Sequence, residues 1–369
     1  MRFLLISIFL ISNSFVIGQQ WIETYYPGNV QVREKYQVVI ANNDTIFEGS
    51  YKIFHANGNL WQTGVFHNNR LDSLWLDFHT NGRLKQKLPY NKGMLQGTVI
   101  TYDENGALFQ EIPYVNDQIS GDLKIYYDNG QLQEVAHYDN NIKDGEYSAY
   151  YIDGSLAETK IFIKDTENGA YSSYFENGFI KEKGVRIAGL FEGDYKGYYK
   201  TEEGAIQKKC RFKNGKLEGL LTGYYPDRAI MIETHYSNGN ANGESVKYYA
   251  AEINLDGRPV VEEKGPYLNN KKNGEWSSFY PNGKVHTLGS YTNDVFDGQW
   301  KVFYENGKLK QVGDYQKGLP NGRWKFYQES GNILKEGDYL NDLENGNWIY
   351  YRGNGEEYII EYKDGVEVR

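Results

Sequence analysis

Glycine residues recur along this chain at a spacing of 24 residues, and this internal repeat constrains the fold more than any other feature. The chain is 369 residues long, so it has room for about fourteen copies of one short unit. Two extra residues precede Gly204, about seven lie between Gly243 and Gly274, and Arg228 stands where one glycine is missing. The recurrent turn glycines are Gly58, Gly82, Gly106, Gly130, Gly154, Gly178, Gly204, Gly257, Gly283, Gly307, Gly331 and Gly355.

The step Asn306-Gly307 lies between two runs of alternating apolar residues, which is the strongest short-range signal for a β-hairpin. A two-residue type I′ turn here would pair Tyr304 with Leu309, Val302 with Gln311, Trp300 with Gly313 and Gly298 with Tyr315. Because each glycine then faces an aromatic ring, we expect the ring to cover the open backbone. The glycines that open the units are Gly49, Gly97, Gly121, Gly145, Gly169, Gly193, Gly219, Gly243, Gly274, Gly298, Gly322 and Gly346, with Ser73 in one unit.

Alternation along each strand predicts one apolar face, with Trp300 and Tyr315, and one largely polar face, with Lys301. In this register Phe303 falls on the polar side, unless a β-bulge returns it to the core. Every unit from Gly49 onward has an aromatic residue at this position. These residues, the aromatic file, are Phe54, Phe78, Tyr102, Tyr126, Tyr150, Tyr174, Tyr198, Tyr224, Tyr248, Phe279, Phe303, Tyr327 and Tyr351.

The composition suits many short strands joined by tight turns, because the chain has 34 Tyr and 41 Gly but only 8 Pro. The net charge of -9 is spread along the chain, which disfavours nucleic acid as a partner. Cys210 is the one cysteine in the sequence, so no intramolecular disulfide can form. Stability must therefore come from packing.

Residues 1–18 are predicted to be a cleaved signal peptide. Arg2 precedes an apolar run that begins at Phe3, and the permissive residue Gly18 ends the segment. The run is too short for a membrane anchor and is interrupted by Ser12. We expect export to the periplasm, the cell surface or the medium, with no transmembrane span in the mature chain.

Two segments show the repeat most clearly: FYPNGKVHTLGSYTNDVFDGQW at 279–300 and FYENGKLKQVGDYQKGLPNGRW at 303–324. This pattern resembles MORN-type repeats and is most similar to the bacterial MORN repeat variant of proteins labelled YwqK-family antitoxins. The resemblance covers nearly the whole mature chain. It implies a single-layered antiparallel sheet with a groove, used for protein interaction, scaffolding or membrane-proximal attachment. An antitoxin role implies a cytoplasmic partner, whereas the predicted signal peptide implies export.

Few residues are candidates for chemistry. Cys210 falls at the register of Gly313 on the apolar side, so we interpret it as a buried structural thiol. His55 and His79 occupy equivalent positions and His67 lies on the intervening strand. Hairpins about 10 Å apart do not bring three imidazoles onto one metal ion.

Two acidic pairs invite a calcium interpretation, Asp294 with Asp297 and Asp342 with Glu344. Their spacing lacks the dense alternation of a calcium loop, so we interpret them as solvated turns. No nucleophile elbow with a Ser-His-Asp set is present in the sequence. We therefore predict no catalytic residues, no metal, no cofactor and no enzyme activity.

The predicted fold class is all-β: an elongated, solenoid-like, single-layer antiparallel sheet of about fourteen β-hairpin repeats. The predicted organisation is a signal peptide at 1–18, a divergent N-terminal repeat or cap at 19–48 and a repeat array at 49–369. An irregular insertion lies near 249–266 and could carry recognition or be neutral.

The expected function is a non-catalytic protein-interaction or scaffold role in the bacterial cell envelope or outside the cell, with an unidentified protein partner. A glycan is the alternative ligand, because repeated rings can stack on sugars or on an extended peptide. An antitoxin-like binding protein is the further alternative. The same rings could instead serve the packing that every repeat requires, and the sequence leaves both possibilities open.

Overall fold

A computed structural model describes residues 16–28, 30–41, 44–201, 204–253, 257–353 and 355–368. In these ranges all regular secondary structure is β-strand, and no helix could span a membrane. The predicted signal peptide falls largely on residues 1–15, which lie outside the described ranges; Val16–Gly18 begin the first strand. The signal peptide therefore stays a prediction.

The chain divides into two compact units, one within residues 1–168 together with 176–178, and one formed by 169–175 and 179–369. The strands of the first unit are β1 (Val16–Tyr25), β2 (Val32–Ala41), β3 (Asp44–Phe54), β4 (Leu60–His67), β5 (Arg70–Phe78), β6 (Leu84–Asn91), β7 (Met94–Leu95), β8 (Gly97–Tyr102), β9 (Leu108–Val115), β10 (Gln118–Ile119), β11 (Gly121–Tyr126), β12 (Leu132–Asp139), β13 (Ile142–Tyr150), β14 (Leu156–Ile163) and β15 (Thr166–Glu167).

The second unit repeats the same plan. Its strands are β16 (Gly169–Tyr174), β17 (Ile180–Ile187), β18 (Leu190–Tyr198), β19 (Ile206–Lys213), β20 (Lys216–Leu217), β21 (Gly219–Tyr224), β22 (Ile230–Ser237), β23 (Asn240–Ile253), β24 (Pro259–Leu268), β25 (Lys271–Lys272), β26 (Gly274–Phe279), β27 (Val285–Thr292), β28 (Val295–Phe296), β29 (Gly298–Phe303), β30 (Leu309–Gln316), β31 (Leu319–Tyr327), β32 (Ile333–Leu340), β33 (Leu343–Tyr351), β34 (Glu357–Lys363) and β35 (Val366–Glu367).

Within each unit the strands pair antiparallel with their neighbours in the sequence, so each repeat is a hairpin that adds to the previous one. The predicted all-β class, an antiparallel sheet of hairpin repeats, is confirmed. Part of the predicted register is also confirmed: Gly298 pairs with Tyr315, Trp300 with Gly313 and Val302 with Gln311.

The predicted type I′ turn at Asn306-Gly307 is wrong. The Tyr304 carbonyl accepts a hydrogen bond from the Gly307 amide at 2.8 Å, and the Tyr304 amide donates to the Lys308 carbonyl at 2.8 Å. Gly307 has φ +91°, whereas Asn306 has no positive φ. The loop is therefore the three residues 305–307, a type I turn closed by a left-handed glycine.

The asparagine of these loops serves the contact between repeats instead of supplying positive φ. The Asn306 side chain accepts a hydrogen bond from the Lys308 amide at 2.8 Å and donates to the Glu329 carbonyl of the next repeat at 3.1 Å. Asn81 and Asn129 make the same pair of contacts in the first unit. This explains the preference for Asn before the glycine, because its amide can donate and accept at once.

Type I′ turns occur at the other end of the strands, where one hairpin joins the next. Asn293 and Asp294 have φ +53° and +69° and lie between Thr292 and Val295, which are paired. Positive φ at both central residues is the type I′ signature. The equivalent pairs are Asn68-Asn69, Lys92-Gly93, Asn116-Asp117, Asn140-Asn141, Lys164-Asp165, Ala188-Gly189, Asn214-Gly215, Asn238-Gly239, Asn269-Asn270, Lys317-Gly318, Asn341-Asp342 and Asp364-Gly365.

These turns hydrogen-bond to the preceding repeat. The Asp294 amide donates to the Lys272 carbonyl at 2.9 Å, and the Lys272 amide donates to Asp294 Oδ1 at 2.6 Å. Asp117 with Leu95 repeats this two-way contact in the first unit. Charge-assisted bonds of this kind stabilise by about 1.5–3 kcal/mol. The hydrogen bonds at these turns therefore form a ladder, here called the turn ladder, that joins consecutive repeats.

The apolar face is built on an indole ring that lies against a glycine of the preceding strand. A side-chain carbon at Gly313 would overlap the Trp324 ring, and Trp324 Nε1 donates to the Asp314 carbonyl at 3.2 Å. Trp324 is 2% exposed, and burying such a side chain stabilises by about 1.5–3 kcal/mol. The same contact, here called the tryptophan core, joins Gly64 to Trp75, Gly265 to Trp276, Gly289 to Trp300 and Gly337 to Trp348.

The prediction that each glycine is covered by the ring of its paired residue is wrong. Trp300 is the backbone partner of Gly313, but the ring that fills the space at Gly313 is Trp324 of the next repeat. The opening glycines have no ring over them at Gly298 and Gly322, where nothing lies within 4 Å of an added Cβ. Gly322 has φ +78° and lies at a β-bulge, so backbone conformation is what demands glycine there.

Arg228→Gly is expected to stabilise the protein by about 1 kcal/mol, because Arg228 has φ +75° in the turn position that glycine holds elsewhere. Its amide keeps the usual hydrogen bond to the Tyr225 carbonyl at 2.9 Å, so the turn is unchanged in type. The midpoint of urea unfolding should rise. Gly307→Ala is the matched control and should lower it, and an equal response to both changes would contradict this explanation.

Gly313→Ala should destabilise the protein by about 1–3 kcal/mol, because the new methyl group overlaps the Trp324 ring. The first unit contains a natural Ala and Tyr pair at this position, Ala136 opposite Tyr147, with Ala136 1% exposed. Combining Gly313→Ala with Trp324→Tyr should therefore cost less than the sum of the single changes in a thermal unfolding cycle. Additive losses would argue against a direct contact.

Candidate functional site

The structure places the aromatic file at the ends of strands that precede the three-residue loops. Twelve of its thirteen residues end their strand, and Tyr248 lies inside the longer strand β23. All thirteen side chains are half-buried. The rings are therefore neither enclosed like the tryptophan core nor fully exposed.

A β-bulge is present beside the file, but it does not return the rings to the tryptophan core. Val302 pairs with Gln311 and Phe303 pairs with Leu309, so Lys310 is the extra residue. Because the extra residue is on the partner strand, β29 keeps its alternation. Phe303 thus stays on the face opposite the tryptophan core, which we call the file face.

Seven of the thirteen rings of the file contact a charged residue of the preceding repeat. The Tyr126 hydroxyl donates to Glu111 Oε2 at 3.0 Å, and the Lys209 ammonium lies 5.5 Å from the Tyr224 ring centroid. Both partners lie 15 residues earlier in the chain. The equivalent contacts join Tyr248 to Glu233, Tyr351 to Glu336, Tyr102 to Lys87, Tyr198 to Lys183 and Phe279 to Lys264.

Two of these contacts shift pKa values, that of Tyr126 upward and that of Glu336 downward. Burial and the hydrogen bond to Glu111 raise the pKa of Tyr126 to about 12. Burial opposes ionisation of Glu336, but hydrogen bonds from Tyr351 and Lys325 outweigh it, so the pKa of Glu336 is lowered. At neutral pH Tyr126 is therefore a neutral hydroxyl that donates to Glu111, and Glu336 is a charged acceptor.

A tyrosine follows many of the file positions, and these tyrosines form a ladder that sequence analysis missed. Tyr304 donates its hydroxyl to the carbonyl of Tyr327, the file residue of the next repeat, at 2.7 Å. The recurrence of tyrosine immediately after the file position was the available signal. The same bond runs from Tyr26 to Phe54, Tyr127 to Tyr150, Tyr199 to Tyr224, Tyr225 to Tyr248, Tyr249 to Phe279 and Tyr280 to Phe303.

Two of the histidines belong to this ladder. His55 Nε2 lies 3.3 Å from the Phe78 carbonyl and His79 Nε2 lies 3.0 Å from the Tyr102 carbonyl, so they replace tyrosine. His67 contacts Glu48 at 2.8 Å instead. Within the residues that the structure describes, no three His, Cys, Asp or Glu side chains are grouped to hold a metal ion.

The predicted buried position of Cys210 is confirmed. The residue is 9% exposed and pairs with Tyr195, whose own exposure is 6%. Burial raises the pKa of the Cys210 thiol, which disfavours the reactive thiolate.

The acidic pairs have local partners. Asp294 belongs to the turn ladder described above, and Asp297 accepts a hydrogen bond from the Thr292 hydroxyl at 3.1 Å. Glu344 forms an ion pair with Lys335 at 3.1 Å.

The insertion near 249–266 lengthens a hairpin. β23 continues to Ile253, and Ile253 pairs with Pro259 at the start of β24. Residues 254–256 lie outside the described ranges.

Comparison with solved structures finds large toxin assemblies. A Tc holotoxin pore of Photorhabdus luminescens with a TccC3 mutation is 13% identical, with 90% of this chain and 21% of that chain covered and a TM-score of 0.18. The complex TcdB2-TccC3-Cdc42 is 8% identical, with 93% and 22% covered and a TM-score of 0.17. This chain spans about a fifth of those chains. The search of curated proteins found no match.

One protein-family model matches individual hairpin repeats of this chain. The model described as MORN repeat variant matches residues 47–68, 95–116, 120–140, 272–293, 296–317 and 320–341. Each matched segment contains one three-residue loop with its two flanking strands and ends at the first residue of a type I′ turn described above. Six segments of the chain are thus similar to the MORN repeat variant, and together they cover less than half of its length.

Proposed function

We propose that this protein is a non-catalytic scaffold that binds an extended segment of another protein on its file face. The observation that carries the proposal is the half-burial of thirteen aromatic side chains at one position of every repeat. Aromatic rings are enriched in protein interfaces because they supply large apolar area and lose little conformational entropy. Within each unit the rings recur once per repeat, which suits a partner that is itself extended.

The side chains that could take part in catalysis are occupied by structural contacts, which supports a binding function over a catalytic one. The thiol of Cys210 is buried, His55 and His79 hydrogen-bond to carbonyls of the next repeat, and Glu336 is held by Lys325 and Tyr351. MORN repeats typically form binding or scaffold modules. The proposed place of action is the cell envelope or the exterior, in line with the predicted signal peptide.

A glycan is the second candidate ligand. A glycan is favoured because aromatic rings lie beside cations that can donate hydrogen bonds. For example, the Lys209 ammonium lies 5.5 Å from the Tyr224 ring centroid. Sugars use flat apolar faces together with polar groups in this way. An antitoxin-like role, which requires a toxin as the bound protein, rests on the family resemblance alone.

The double variant Phe279→Ala/Phe303→Ala should recover at least about tenfold less partner from envelope extracts than the unaltered full chain, because two successive rings of the file are lost. Phe109→Ala is the matched control, since Phe109 is 46% exposed and lies outside the file. Circular dichroism melting should show that both variants stay folded.

Failure to recover any protein, or equal loss with Phe109→Ala, would contradict a protein-binding file face. Binding to a glycan array that disappears in the double variant, with no protein recovered, would favour the second candidate instead.

A further inference from the structure

We infer that the file face of the second unit carries a lysine row that binds an acidic, partly apolar segment of a partner protein. The row consists of Lys183 on β17, Lys196 on β18 and Lys209 on β19. Lys183 is the direct cross-strand partner of Lys196, and Lys196 is the direct partner of Lys209. This inference rests on the proposed function and specifies the chemistry of the partner.

Three adjacent lysines are unfavourable in an isolated sheet. Like charges placed directly opposite one another on neighbouring strands destabilise the pair. All three side chains are exposed, and none forms an ion pair with a carboxylate in the described part of the chain. Lys183 and Lys209 each contact only a file ring, Tyr198 at 6.0 Å and Tyr224 at 5.5 Å, so no negative charge offsets the repulsion and the row favours an anionic partner.

Two other repeats show how a lysine at this position can be balanced by a carboxylate. Lys124 has Glu111 as its cross-strand partner and lies 3.8 Å from it. Lys325 has Glu336 as its partner and lies 3.2 Å from it. The repeat structure can thus place a carboxylate beside this lysine, and the lysine row departs from that arrangement.

The local charge balance is the reverse of that of the whole chain. Residues 181–216 contain ten Lys or Arg and five Asp or Glu, whereas the full sequence has 40 Lys or Arg and 49 Asp or Glu. The overall negative charge keeps polyanions away from the protein, so a local basic row gives selectivity for one region.

Two adjoining grooves run beside the row. One has a volume of about 370 Å³ and is lined by Lys183, Val185 and Lys196; the other, of about 330 Å³, is lined by Lys196, Lys209 and Leu220. Asp194 lines both grooves, and Arg211 lines the second, so the net charge stays positive.

The lining of the grooves favours a peptide over a glycan. Val185 is 43% exposed and Leu220 is 42% exposed, and no ring of the aromatic file lines either groove. Aliphatic side chains between cations match a peptide in which acidic and apolar residues alternate, because alternate residues of an extended chain face one side. Sugar recognition would instead require the stacking surfaces of aromatic rings.

The test measures fluorescence anisotropy of a labelled peptide in which Glu alternates with Leu or Ser, added to the full chain. The triple variant Lys183→Gln/Lys196→Gln/Lys209→Gln should bind at least about tenfold more weakly. The control Lys301→Gln/Lys310→Gln/Lys317→Gln removes the same charge elsewhere and should bind like the unaltered chain. A peptide with Gln in place of Glu should not bind, and salt should weaken binding of the Glu peptide.

Equal weakening in the control variant, or no binding of the Glu peptide, would overturn the inference. Binding of polygalacturonate but not of the peptide would overturn it in favour of an acidic glycan. The melting temperature of the triple variant should be unchanged or higher, since repulsion is relieved. Lost binding together with a lower melting temperature would show that the row is structural.

The two proposals fail separately. If the triple variant recovers an envelope partner as well as the unaltered chain does, the proposed function stands and the lysine row is not its site. If the Glu peptide binds the row but extracts yield no partner, the row is an acidic-peptide site and the scaffold role is contradicted.

Discussion

Packing of a core side chain against a small residue of the preceding strand joins the repeats, and in five of them the contact is between an indole ring and a glycine. The Trp324 ring occupies the space above Gly313, and its Nε1 group donates to the Asp314 carbonyl. This satisfies the one polar atom of a side chain that is otherwise buried. Because a single sheet has no second layer to cover it, each repeat can bury its large side chains only against its neighbour.

Two hydrogen-bonded ladders hold the repeats together at opposite ends of the strands. At the three-residue loops, Tyr304 reaches the carbonyl of Tyr327, and at the type I′ turns Asp294 exchanges hydrogen bonds with Lys272. Tyr and Asp are used because their side chains bridge the distance between adjacent repeats. With packing on one face and ladders at both ends, the file face is left to vary in charge without loss of the fold.

That freedom is what makes the file face informative about function. Where Glu111 stands beside Lys124, the charges are balanced within the protein. Where Lys183, Lys196 and Lys209 stand together, they are not. In a fold made of similar units, a local departure from the repeat pattern indicates a candidate binding region. Proteins retain destabilising repulsion of this kind where it serves binding.

The sequence by itself determined the 24-residue period, the hairpins, the pairing of Trp300 with Gly313 and the place of the aromatic file, because these follow from local alternation and glycine spacing. It misplaced the type I′ turns, because Asn-Gly also suits a loop in which Asn306 bonds across to Glu329. Only the tertiary structure decided that the ring over Gly313 is Trp324, and that Lys183 of one repeat lies beside Lys196 of the next. Those contacts join different repeats, and a period in one chain does not state which residues of successive copies will touch.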